Sequence, residues 1–105
     1  MHSITPIEYA AMLQQGHQHI LIDVREPWEF GLAHIGNAEL KPLRSISAWS
    51  KELSCHDTYI IVCHHGIRSL FACEFLERLG FDAVYNLEGG IDAYTDTVDP
   101  GMHKY

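Results

Sequence analysis

Polar and apolar positions along this chain switch between two rhythms. Short unbroken apolar runs read as buried strands, and apolar residues at helical spacing read as helices packed on them. Thr5-Pro6-Ile7-Glu8 predicts a helix start, with Thr5 as N-cap, Pro6 at the first helical position and Glu8 closing a capping box. Ile7, Tyr9-Ala10 and Met12-Leu13 continue it, and Gly16 stops it. Residues 20–24 read as a buried strand ending in Arg25-Glu26, and Pro27-Trp28-Glu29-Phe30 as a helical turn. A loop through His34-Ile35-Gly36-Asn37-Ala38 leads to a short strand near 39–41. A helix from 43 or 45 to 53 carries Ile46, Trp49 and Leu53 at helical spacing.

Residues 58–62 form the most apolar strand, which places it centrally in a sheet. A helix over 67–79 is expected to bury Leu70-Phe71, Phe75-Leu76 and Leu79. A strand over 83–86 follows, then a Gly89-Gly90 turn and a short helix over 91–95. The remainder, 96–105, reads as a loosely ordered tail. Strands separated by helices imply an α/β fold with a mainly parallel central sheet and helices on both faces. With no linker or repeat, residues 1–105 read as a single domain.

Composition narrows the partners. Apolar residues make up 47% and charged residues 20%, as in a globular chain. No apolar run approaches the roughly 18 residues of a membrane helix, and no signal-like N-terminus is present, so a cytoplasmic location is expected. Cys55, Cys63 and Cys73 are odd in number and irregularly spaced, which predicts free thiols. The net charge of −7, from 14 acids and 7 bases, argues against nucleic acid or an anionic membrane as partner. An anionic substrate would therefore depend on local positive features.

Cys63-His64-His65-Gly66-Ile67-Arg68-Ser69 supplies such features. It places a thiol at the C-terminal end of the central strand, facing the first turn of a helix whose unpaired N–H groups favour negative charge. Cys63 is the candidate nucleophile, since the thiolate is the reactive form. The backbone N–H groups from His64 through Ser69, with Arg68, are the candidate anion-binding groups, and Gly66 lets the loop curl. Asp23 and Arg25 end the neighbouring strand, where ligands gather in such sheets; they read equally as ion pairs supporting the loop or as substrate contacts.

Three segments resemble one known family. Leu21-Ile22-Asp23-Val24-Arg25-Glu26-Pro27-Trp28-Glu29-Phe30, followed by His34-Ile35 and Ala38, resembles the first signature of the rhodanese domain. The Cys63–Ser69 stretch resembles its active-site loop, and Tyr85-Asn86-Leu87-Glu88-Gly89-Gly90-Ile91-Asp92-Ala93-Tyr94 resembles its C-terminal signature. The resemblance runs from about residue 5 to 94. Gly36-Asn37 stands where Pro-Gly is usual, and Tyr94 where Trp is common. It implies a rhodanese-like fold and a thiosulfate sulfurtransferase activity: Cys63 takes the outer sulfur of a small anionic donor as a persulfide and passes it to cyanide or a thiol. His64, His65, Gly66, Ile67, Arg68 and Ser69 would bind the substrate, and no cofactor is implied.

The alternatives differ in chemistry. Cysteine phosphatases use a longer loop between Cys and Arg; here four residues separate Cys63 from Arg68, which suits sulfur better than tetrahedral phosphate. Cys63-His64-His65 is not expected to bind a metal, because adjacent side chains on a tight loop rarely converge on one ion and spaced zinc pairs are missing. Cys73 reads as a core thiol, and Cys55 has no assigned role. A non-catalytic binding or regulatory module stays open, as does a persulfide carrier that hands sulfur to a protein acceptor.

Overall fold

Thr5 caps the first helix as its sequence dictates. Its hydroxyl accepts from the Glu8 N–H at 3.1 Å, and the Glu8 carboxylate accepts from the Thr5 N–H at 2.8 Å. In the computed structural model, which describes residues 2–105, this helix is α1 (Pro6–Gln14). The strands are β1 (His2–Ile4), β2 (Ile20–Asp23), β3 (Glu39–Leu40), β4 (Thr58–Val62) and β5 (Ala83–Leu87). All pair in parallel, in the order β1-β5-β4-β2-β3. The other helices are α2 (Pro27–Leu32), α3 (Ile46–Trp49), α4 (Ile67–Arg78) and α5 (Gly90–Thr97).

β4 is the central strand, as its apolar sequence predicts, and its period of two sorts the core. Tyr59, Ile61 and Cys63 face one cluster with Trp49, Ala72, Cys73 and Leu76 from α3 and α4. Ile60 and Val62 face the other, with Tyr9 of α1 and Ile91 and Tyr94 of α5. Helices therefore cover both faces of an all-parallel sheet, the expected α/β architecture. Because Cys63 is the next inward position after Ile61, its side chain points towards α4.

Two local expectations are corrected, and one strand is added. Helix α4 buries Ser69, Ala72, Cys73 and Leu76, whereas Phe71 and Leu79 are 61% and 53% exposed. Small residues let the helix lie close to the sheet, and close approach, not side-chain size, selects the buried stripe. The segment expected as one helix over 43–53 is instead α3 between two 3-10 turns, Leu43–Ser45 and Ser50–Glu52. The edge strand β1, too short and polar to show a period, pairs His2 to Ile4 with Tyr85 to Leu87.

The segment after α5 also packs. Val98, Met102 and Tyr105 lie against the α1/α5 cluster, contrary to the loose tail expected from its composition.

Candidate active site

The loop after β4 wraps around the Cys63 sulfur. Sγ accepts from the Gly66 N–H at 3.0 Å and from the Ser69 N–H at 3.3 Å, and Cys63 is 1% exposed. Ser69 stands in the first turn of α4, so its N–H is one of those that a helix leaves unpaired. Both donors and the positive end of the helix dipole are directed at this sulfur. Gly66 makes the geometry available. It precedes α4 with φ +99, a conformation that other residues rarely adopt, and a Cβ there would stand 3.2 Å from the Gly89 nitrogen.

Asn86 of β5 braces the loop. Its Nδ2 donates to the Gly66 carbonyl at 3.2 Å, which turns Oδ1 towards the Ser69 hydroxyl, its donor. The Ser69 oxygen lies 3.3 Å from Cys63 Sγ. A hydroxyl carries one proton, so with Ser69 donating to Asn86 a protonated Cys63 donates to Ser69. In the thiolate form the Ser69 hydrogen can swing to sulfur. On the far side, Ile91 N–H donates to Cys63 O at 2.8 Å and Asp92 N–H to His64 O at 3.1 Å. The approach is so close that a methyl group on Gly90 would collide with the Cys63 and His64 carbonyls.

Arg68 does not reach over the sulfur alone. Its two terminal nitrogens bind the Glu29 carboxylate at 2.6 and 2.9 Å. Glu29 also accepts from the Tyr105 hydroxyl at 2.8 Å and the Glu26 N–H at 3.0 Å. The Arg68 hydrogen bonds are the largest cause that holds its carboxyl down at a pKa of about 2. The folded value lies below the ordinary carboxyl value of 4.5, so the stabilisation is fully present above that pH and is lost on acidification towards about 2. The melting-temperature gap between wild type and Glu29→Gln is therefore expected to narrow as pH falls through this window. A gap that is constant with pH would show that the Glu29 charge contributes nothing.

Asp23 and Arg25 form a fully buried ion pair, both 0% exposed. Arg25 Nε bonds both Asp23 oxygens at 2.9 and 3.1 Å, and one terminal nitrogen bonds Asp23 Oδ2 at 2.7 Å and the Ala33 carbonyl at 2.6 Å. The other reaches the Glu29 carbonyl at 3.4 Å and the Tyr105 hydroxyl at 2.8 Å. Burial opposes the Arg25 charge, but the Asp23 and Tyr105 contacts outweigh it and raise its pKa. Its donors are thus engaged by protein. Between the two readings of this pair, the geometry favours support of the loop. Tyr105 links it to the Glu29–Arg68 pair, and the two arginines and two carboxylates cancel in charge.

His64 is sandwiched between rings, with the Tyr105 centroid at 3.9 Å and 11° and the His65 centroid at 3.9 Å and 25°. Burial, the largest cause, pushes its pKa down, so it is neutral near pH 7. His65 and Ile67 are exposed at the rim, Ile67 at 66%. Cys73 lies in the core, and burial raises its pKa to about 12, which fits an inert thiol. Sequence reasoning assigned no role to Asn86, Glu29 or Tyr105. For Asn86 a signal was present, a polar residue near the end of an otherwise apolar strand. For Tyr105 there was none, because its partner Arg25 lies 80 residues away.

Known proteins resemble the chain in sequence and fold. The model of the rhodanese-like domain matches residues 5–97. The thiosulfate sulfurtransferase GlpE of Vibrio cholerae is 34% identical over 84 residues, spanning 80% of this chain and 78% of that protein. Rhodanese-like/PpiC domain-containing protein 12 of Arabidopsis thaliana is 38% identical over 90 residues, 81% of this chain but only 30% of the plant protein. The crystal structure of a rhodanese-like domain protein from Staphylococcus aureus superposes with a TM-score of 0.86 at 32% identity, covering 100% of this chain and 99% of that one. With a parallel sheet, a cysteine at the end of its central strand and a loop of N–H donors around the sulfur, the chain belongs to the rhodanese-like domain family.

Proposed function

We propose that this protein is a thiosulfate sulfurtransferase that works through a persulfide on Cys63. One observation carries the reading: two backbone N–H groups converge on the sulfur of a cysteine at the C-terminal end of the central strand. In the thiolate form Sγ attacks the outer sulfur of a thiosulfate-like donor. The donor's S–S bond breaks, sulfite leaves with the bonding pair, and Cys63 holds the outer sulfur as a persulfide. Cyanide or a thiol then attacks that sulfur, the new S–S bond breaks, and the thiolate returns. The loop donors stabilise the charge at both ends of this cycle. Removing one such donor in other enzymes costs roughly 3–4 kcal/mol of transition-state stabilisation.

His64, His65, Gly66, Ile67, Arg68 and Ser69 form the wall that the donor meets, with Asp23 and Arg25 holding that wall from behind. Because Arg68 is already paired with Glu29, it acts as a shared cation, offering the donor a partly satisfied charge. A second reading, a carrier that delivers the persulfide to a protein acceptor, is favoured by the exposed apolar rim: Trp28 and Ile67, in the segments joined by the Glu29–Arg68 pair, are 65% and 66% exposed. In both readings the chain works without a cofactor in a cytoplasmic setting.

Initial rates of thiocyanate formation test the reading. With thiosulfate and cyanide varied together, double-reciprocal plots are expected to be parallel, the pattern of two half-reactions linked by an enzyme-bound sulfur. Intersecting lines would mean that both substrates bind before any sulfur moves, and the persulfide mechanism would be wrong.

A further inference from the structure

The sequence gives no reason to expect a metal at His64-His65, but the fold adds a third ligand. Asp92, in the first turn of α5, comes to the same place, and the ligand atoms of His64, His65 and Asp92 lie within 4.8 Å of one another. We propose that these three side chains bind a divalent late first-row ion, such as zinc or cobalt(II), beside the Cys63 loop. This goes beyond the sulfur-transfer reading and does not depend on it.

Three observations carry the site. The first is an unmet bonding need: His64 Nε2 is buried and has no hydrogen-bond partner among the described residues. The second is preorganisation. The backbone of α5 is tied to the loop through Asp92 N–H on His64 O at 3.1 Å and Ile91 N–H on Cys63 O at 2.8 Å, and the Tyr105 ring fixes His64 from one side. The third is the donor set. Two imidazole nitrogens and one carboxylate oxygen suit zinc, nickel or cobalt, whereas magnesium and calcium take mainly oxygen.

Binding requires a small closure. Ligand bonds of about 2.0–2.2 Å would bring the donor atoms to roughly 3–3.5 Å from one another. His65 Nε2 stands 3.9 Å from Asp92 Oδ2, and the His64 and His65 rings are stacked, so His65 must turn. Its side chain is 60% exposed and free to do so. Lys104 Nζ lies 3.5 Å from Asp92 Oδ1 and is the cation that the metal displaces or shares. An ion held here would bring net positive charge to a mouth whose two arginines are each paired with a carboxylate.

Titration with cobalt(II) tests the site in the Cys63→Ser protein, which lacks the active thiol and is checked for folding by circular dichroism. Saturable visible bands at one ion per chain are expected. Removing a ligand with His65→Ala or Asp92→Asn should weaken binding by about tenfold or more, the scale on which even outer-shell changes act. No saturable bands, or bands that survive both substitutions, would overturn the proposal. If Cys63→Ser fails to fold, the titration is run on wild type. There, sulfur-to-cobalt charge transfer would place the ion on Cys63 and refute the site equally.

Discussion

Incubated with thiosulfate, the wild-type protein is expected to gain the mass of one sulfur atom, cyanide should remove it, and Cys63→Ser should gain none. The loss should be complete, because the substitution replaces the sulfur proposed to carry the transferred atom and leaves its surroundings intact. Ser and Cys are similar in size, the N–H groups of Gly66 and Ser69 can still donate to an oxygen, and the packing around position 63 is preserved. Circular dichroism and melting should be nearly those of wild type, which separates lost chemistry from lost structure. The other thiols give a built-in control: Cys73 is buried and Cys55 lies in the connection before β4, away from the loop. A sulfur gained by the Cys63→Ser protein at either thiol would disprove the assignment of the nucleophile.

Asp23→Ala should produce the largest loss of stability. Among the described residues Asp23 is the one carboxylate on the buried Arg25 guanidinium, and deleting it leaves that charge in the interior with carbonyls and the Tyr105 hydroxyl. Breaking one side of such a pair costs about 3–5 kcal/mol. At about 4–8 °C per kcal/mol for a domain of this size, the melting temperature should fall by roughly 12–40 °C. Asp23→Asn, which keeps the shape and part of the hydrogen bonding, should fall less. Equal melting temperatures for wild type and Asp23→Ala would mean that water or a rearranged neighbour compensates Arg25, and that the pair contributes nothing to the fold. Loss of sulfur transfer at a temperature where Asp23→Ala is still folded would show that the pair also shapes the loop, through Tyr105 and Glu29.

Where the sequence was informative, the signal was local. Thr5, Pro6 and Glu8 each act within one turn, and the capping box forms as written. The run at 58–62 is so uniformly apolar that only a central strand could bury it, and Cys63 follows from the alternation along that strand. Helix α4 was harder to read, because its buried face is set by what fits against the sheet: Ala72 and Cys73 are inside and Phe71 outside. The bracing of the site was illegible for a different reason. Glu29 with Arg68, Asn86 with Gly66, and Arg25 with Tyr105 are separated by 39, 20 and 80 residues, and no periodicity or cap connects such pairs. The sequence singles out the candidate nucleophile, and the tertiary fold shows what holds it in position.

The clamping of the Cys63 loop has a consequence for selectivity. Its carbonyls at Cys63 and His64 are zipped to the start of α5, and its Gly66 carbonyl is pinned by Asn86. A ring held from both sides cannot widen to admit a larger reactant, so its aperture is fixed before any ligand arrives. Molecules are then expected to be sorted by size before charge or reactivity is tested. A slender, singly bonded sulfur is therefore expected to reach Sγ more readily than a bulky tetrahedral centre, which the clamped loop would crowd. Rigidity here works as a sieve, and loosening either clamp should broaden the range of electrophiles the cysteine accepts.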